Sequence, residues 1–260
     1  MKRVSLALLF SFIMAWTLMA QEETYGSTEV YKIPNTLLAG EGLTLAKQKD
    51  PKSPTYQKKI FEGENIIIYM IAIGTGITNE FKSFPLEEFI FWINGKAVVE
   101  PNGEKSFDVH SGDYFVQAKG FNGRWNFIDN GGLHLELALI AKNRPDSTIK
   151  STITKAKVFD RDMISGVTGN QEDFEVYYEG AELDVNILRA KEKVFQNLSQ
   201  ERLMHVLNGI LTLVSKNGEE KQDFYPGDFF IIPKGYYGTW TSKSLQDLRV
   251  LEVLRSQKLP

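Results

Sequence analysis

Glu88, Lys82, Arg202, Trp92, Trp125, Tyr237 and Trp240 are the side chains of this 260-residue chain best suited to chemistry or binding. Glu88 can act as a general acid or base, with Lys82 or Arg202 as a cation that stabilises developing negative charge. Arg202 also offers a planar fork of N–H donors that matches a carboxylate in bidentate fashion. An indole is a wide apolar ring with an N–H at its edge, which suits stacking on a sugar ring or a flat organic ligand. Tyr237 lies close to Trp240 and is a candidate lip of the same pocket. Each group also has a plainer use: a Trp can fill a core, and inward-facing charges can neutralise one another. Other catalytic signatures are absent, with no nucleophile elbow, Walker loop, His-Glu-x-x-His or dinucleotide fingerprint. The carboxylate pairs Asp160/Asp162 and Glu172/Asp173 fall in a polar stretch from Asp146 to Glu182, which reads as a solvated linker or edge.

The elements that position these residues occur twice. Asn94-Gly95, Asn102-Gly103, Gly112-Asp113, Lys119-Gly120, Gly123 and Trp125 reappear as Asn208-Gly209, Asn217-Gly218, Gly227-Asp228, Lys234-Gly235, Gly238 and Trp240. From Gly103 onward the offset is a constant 115 residues. That period is longer than a solenoid or propeller unit and matches a small domain, so it indicates tandem duplication.

Each copy reads as short strands punctuated by turns. Glu64–Ile71 is rich in β-branched residues, Phe89–Ile93 is a second apolar run, and Asn94-Gly95 is a tight-turn signal. Ala97–Glu100 and Phe107–His110 follow, and Met204–Leu207, Leu211–Val214 and Phe224-Tyr225 repeat the series. Strands at such regular spacing, with few amphipathic helices between them, imply an all-β sandwich or barrel.

Gly227-Asp228-Phe229-Phe230-Ile231-Ile232-Pro233-Lys234-Gly235 resembles the second conserved motif of the cupin superfamily, and Gly112–Gly120 resembles it with Ala118 in place of Pro. The Gly-Arg-Trp and Gly-Thr-Trp endings are most similar to the branch containing ureidoglycine aminohydrolase-like and ethanolamine-utilisation-type proteins. The resemblance implies two tandem jelly-roll barrels of six to eight strands each, and association through sheet faces into a homodimer. It also implies a metal held by His-x-His, a Glu and a third His. Carried over residue by residue, those positions are Lys82, Phe84, Glu88 and Gly123 in the first copy, and Gln196, Leu198, Arg202 and Gly238 in the second. Only Glu88 is a ligand type, so no metal or other cofactor is expected. By strand alternation Glu88, Ile90 and Trp92 share an inward face, as do Arg202, Met204 and Val206. That places His205 outside its barrel, while His110 sits at a turn and His134 shares a face with Glu136 opposite a leucine stripe; all three read as exposed or locally satisfied. Lys82 and Glu88, both inward on this reading, would pair.

Met1-Lys2-Arg3, the apolar run Val4–Met14 and Leu18-Met19-Ala20 have the form of a signal peptide. The run is shorter than the roughly 20 residues a spanning helix needs, and no later segment approaches one. The expected divisions are therefore a signal peptide at 1–20, an N-terminal domain at 21–145 and a C-terminal domain at 146–260. Removing Lys2 and Arg3 takes the formal net charge from −3 to −5, and so mildly acidic a chain lacks the basic field nucleic acid needs. With no Cys, the fold relies on its core alone. Expression in a Gram-negative host should yield a periplasmic or secreted chain beginning at Gln21; a soluble product retaining Met1 by N-terminal mass analysis would refute export.

The resulting expectation is an exported protein with two barrels that binds a small organic ligand, carbohydrate-derived molecules being one candidate class, without metal, nucleic acid or membrane partners. The alternative is a lyase, isomerase or hydrolase using Glu88 as acid or base, with Lys82 or Arg202 in support. A structural dimerising module is the third class.

Overall fold

The computed structural model describes residues 29–46, 54–129, 131–142, 157–159, 174–218, 220–243 and 248–257. The signal segment and the acidic pairs Asp160/Asp162 and Glu172/Asp173 lie outside the described residues. The single helix among them, α1 (Asn35–Leu38), has four residues.

The first half contributes β1 (Tyr31–Lys32), β2 (Thr44–Leu45), β3 (Thr55–Glu62), β4 (Ile66–Gly74), β5 (Thr78–Phe81) and β6 (Glu88–Asn94). It continues with β7 (Lys96–Pro101), β8 (Phe107–His110), β9 (Tyr114–Gln117), β10 (Gly123–Phe127) and β11 (Leu133–Ala141). The second half contributes β12 (Lys157–Phe159), β13 (Phe174–Glu179), β14 (Leu183–Leu188), β15 (Glu192–Phe195) and β16 (Arg202–Asn208). Then come β17 (Leu211–Ser215), β18 (Lys221–Phe224), β19 (Phe229–Ile232), β20 (Gly238–Ser242) and β21 (Arg249–Arg255).

These strands make two barrels, each of two antiparallel sheets. In the first, a seven-stranded sheet ordered β12-β9-β6-β11-β4-β3-β2 faces a four-stranded sheet ordered β5-β10-β7-β8. In the second, a six-stranded sheet ordered β1-β19-β16-β21-β14-β13 faces one ordered β15-β20-β17-β18. The duplicated order is the fold-level counterpart of the sequence repeat. Even turn geometry repeats, with Gly112 and Gly227 at φ 95° and 94°, a region only glycine enters without strain. The tandem all-β expectation holds, although the barrels are larger than six to eight strands.

Two of the extra strands cross between the halves. β1 pairs with β19 in the second barrel, Tyr31 opposite Ile231, while β12 pairs with β9 in the first, Lys157 opposite Val116. The larger sheet of each barrel is thus completed by chain from the other side of residue 145.

Strand alternation divides the apolar residues into three clusters. Ile90, Trp92, Val99, Phe115, Trp125, Phe127 and Ala138 fill the first barrel. Met204, Val206, Leu213, Phe230, Ile232, Trp240 and Val250 fill the second. The opposite faces of the large sheets, including Met70, Phe89, Val116, Leu137, Leu203, Phe229, Ile231 and Leu251, form a third cluster that joins the barrels. At roughly 1.5–3 kcal/mol per fully buried large apolar side chain, this joint is a core in its own right. The outer faces of the two large sheets therefore cover each other within one chain.

The joint corrects the reading of His205. It does point out of its own barrel, but into the buried joint and not to solvent: its ring stacks on Phe229 at 3.7 Å between centroids, and Nδ1 lies 2.7 Å from the Tyr114 hydroxyl of the first barrel. Matched polar locks flank it. Buried Glu87 accepts hydrogen bonds from the Tyr178 hydroxyl and from the backbone N–H groups of Ala181, Glu182 and Leu183 across the joint. Glu201 accepts from the N–H groups of Glu64 and Asn65 and from the Asn65 side chain. Lys119 pairs with Glu182 and Lys234 with Glu64, so the two locks are related as the two copies are. Burial, then the charge of Glu87, holds the Tyr178 phenol well above its ordinary range.

Candidate functional site in the barrel interiors

The positions aligned with the metal motif fail on backbone as well as side chain. Ser83 and Asn197 occupy equivalent places and both take a left-handed conformation, φ 52° and 51°. The bend turns Lys82 and Gln196 out to solvent, while Phe84 and Leu198 pack against the barrel clusters. The residues facing inward on the strand before the bend are Asn79 and Phe81 in the first barrel, Lys193 and Phe195 in the second, by their pairing with the inward faces of β10 and β20. Neither pair offers an imidazole. At the third His position a Cβ on Gly123 would meet the Glu100 carbonyl oxygen at 2.5 Å, and one on Gly238 would meet the Val214 carbonyl oxygen and the Tyr236 hydroxyl, each at 2.5 Å. No side chain fits there. Among the described residues, no three His, Cys, Asp or Glu side chains gather as a metal would require. The donor set does not suit the metal the fold usually carries.

The bend also corrects the expected Lys82–Glu88 pair. Lys82 is exposed in an outer groove of about 550 Å³ with Glu80, Glu100 and Arg124, and no ion pair joins it to Glu88. Glu88 itself stands half-buried at the start of β6, directly opposite Gln117 of β9.

The indoles are packing groups in this conformation and do not wall an open pocket. Trp92 is fully buried between Phe127 and His134, 6.1 and 3.9 Å away by ring centroids. Trp125 packs on Phe81 and Phe115 at 5.2 and 5.1 Å. Trp240 is fully buried and donates to the Ala190 carbonyl oxygen at 3.1 Å. His134 is locally satisfied, but inside the barrel: Nδ1 meets the Asn94 carbonyl oxygen at 2.9 Å and Nε2 meets Glu136 Oε2 at 2.6 Å. A carbonyl only accepts, so Nδ1 carries a hydrogen. Not every interior polar group is so served. Both amide atoms of Gln117 and the N–H groups of Trp92 and Trp125 are buried without a partner.

The second barrel holds charge instead. Arg202 pairs with buried Glu252, whose other oxygen accepts from the Asn186 side chain at 3.1 Å. Arg202 Nε is buried and unpaired. Lys193 projects over Phe195 and Trp240, with its ammonium 5.8 and 5.7 Å from the ring centroids. Burial, aided by the charge of Arg202 and opposed by Glu252, pushes its pKa down. Arg202 and Trp240 are therefore linked through Lys193. Tyr237 is not part of this group: it is exposed in an outer groove of about 610 Å³ with Val194 and Asn217, and Lys216 sits 4.9 Å above its ring. Sequence reasoning missed Gln117, Asn186, Lys193 and Glu252. Polar residues at alternate positions within apolar strands were the available signal, as in Asn186-Ile187-Leu188 and Lys193-Val194-Phe195.

Residues 76–130 match the family described as EutQ-like cupin domain. No curated protein matches the chain. Among solved structures the chain is similar to a cupin 2 conserved barrel domain protein from Leptotrichia buccalis, with 13% identity, TM-score 0.58, and 90% of this chain and 99% of that one covered. It is similar to a putative glyoxylate-induced protein from Pseudomonas aeruginosa, with 13% identity, TM-score 0.61, and 92% and 94% covered. A third likeness is to a salicylate 1,2-dioxygenase variant from Pseudoaminobacter salicylatoxidans in complex with gentisate, with 13% identity, TM-score 0.57, and 98% and 92% covered. At such identities the likeness shows the fold, which is that of a tandem cupin.

Proposed function

Starting from a tandem cupin fold whose donor positions do not suit a metal, we propose that this is an exported protein that binds a small organic molecule inside a barrel without metal. One observation carries the reading. Polar atoms at the motif end of both barrels, the Gln117 amide in the first and Arg202 Nε in the second, are buried with hydrogen-bonding capacity unfilled by protein. Leaving such a group unsatisfied costs about 1–3 kcal/mol, which a ligand's complementary atoms recover. The acid–base alternative loses support, because Lys82 stands outside the barrel that contains Glu88.

The test is a thermal-shift screen of the purified protein against small metabolites, run with and without chelator. A ligand should raise the melting temperature equally in both arms, since one at a hundred times its Kd stabilises by about 2.7 kcal/mol. Stoichiometric metal in the purified protein, or a ligand shift that disappears on chelation, would overturn the proposal.

A further inference from the structure

We infer that the second barrel binds a small organic carboxylate, with Arg202 and Lys193 supplying the positive charge that a metal would otherwise provide. The inference rests on the function proposed above and adds its site and ligand class. Four strands drawn from both sheets converge on the place: Arg202 from β16, Glu252 from β21, Asn186 from β14 and Lys193 from β15. Glu252, a carboxylate, and Arg202, a further cation, both act on Lys193. These three groups together carry one excess positive charge. Lys193 makes no hydrogen bond or ion pair among the described residues, although it is half-buried over two aromatic rings. Arg202 spends one N–H on Glu252 and keeps a buried Nε–H unused. A half-buried ammonium without an ion-pair partner and a buried N–H without an acceptor are both costly, and an entering carboxylate relieves both at once.

The duplicate barrel serves as an internal control. By strand register it carries Asn79 where Lys193 stands, Glu88 where Arg202 stands and Ala138 where Glu252 stands. One barrel has gathered opposing charges at these positions and the other has not, so the cluster is not a requirement of the fold. Glu252 then has a second consequence. It is the built-in competitor for the same cations, so it holds the site closed to weak anions and lowers the affinity of the right one.

Isothermal titration of the mature protein with sodium benzoate and sodium galacturonate, beside benzyl alcohol and galactose, tests this. At least one carboxylate should bind and its neutral counterpart should not. Arg202→Met and Lys193→Met should each weaken binding about 10- to 100-fold, the loss that follows removal of a charged hydrogen bond. Glu252→Gln should tighten it several-fold, which a purely structural ion pair would not do. Circular dichroism confirms folding, and should Glu252→Gln not fold, the lysine variant still decides. Equal binding of a neutral counterpart, or affinity unchanged by both cation variants, overturns the ligand class. If that binding is lost in Gln117→Leu, metal-free binding stands and the site belongs to the first barrel. No binding of any probe up to millimolar concentration overturns the inference, while the wider metabolite screen still judges the reading beneath it.

Discussion

Glu87→Ala is expected to lower the free energy of unfolding by about 3–5 kcal/mol, the scale on which removing one member of a buried charged network acts. The carboxylate is fully buried and accepts at 2.8, 2.8 and 3.0 Å from three successive backbone N–H groups, with the Tyr178 hydroxyl at 3.1 Å. Truncation strands all four donors where water does not replace the acceptor, at about 1–3 kcal/mol for each group left unsatisfied, less than additively. Glu87→Gln should recover only part of the loss, because its amide nitrogen would face an N–H that also donates. Glu201→Ala, the same change in the other lock, should cost about half as much, since its partners are only partly buried and water can reach them. Urea unfolding curves with unchanged slope measure the difference. A loss under about 1 kcal/mol for Glu87→Ala would show that the lock contributes little.

Gly180→Ala should destabilise by roughly 3 kcal/mol, at the upper end of overpacking changes. A Cβ there would lie 2.1 Å from Glu87 Oε2 and 2.5 Å from Tyr178 Cε1, so the added methyl and the carboxylate cannot occupy their places together. Gly63 is the corresponding residue of the other lock, with Glu201 Oε1 2.4 Å from its Cβ position. The collision is thus built into the duplication and is not a local accident. Combining Gly180→Ala with Glu87→Ala should give markedly less than the sum of the single losses, because the second change removes the atom the first collides with. Strict additivity in that double-mutant cycle would mean that the glycine answers to something else.

The repeat, the strands and most turns were legible because each rests on local signals, such as alternation, β-branched runs and Asn-Gly pairs. The loss of the metal donors was legible by counting. The bend at Ser83 and Asn197 was not, since a left-handed non-glycine residue leaves no mark in an alternating pattern, and it alone reverses the direction of Lys82. The burial of His205 and the role of Glu87 were not legible for another reason: their hydrogen-bonding partners belong to the other barrel, more than 90 residues away. A hint existed in the continuous apolar stretch Ile66–Ile71 and in β19, whose four residues are all buried. Such runs belong to strands covered on both faces.

The paired exchange of β1 and β12 also sets a timetable for the nascent chain. A ribosome completes β9 at Gln117 but does not deliver the strand that closes its edge until Phe159, while β1, made at residues 31–32, must wait for β19 at residues 229–232. Until Phe159 has been made the first barrel therefore offers an unpaired edge, and until nearly the whole polypeptide has emerged it offers a bare apolar sheet face, the kinds of surface that recruit other chains. Duplication followed by reciprocal exchange has made two copies of one module into a single unit of synthesis, in which neither copy is finished before the other has been made.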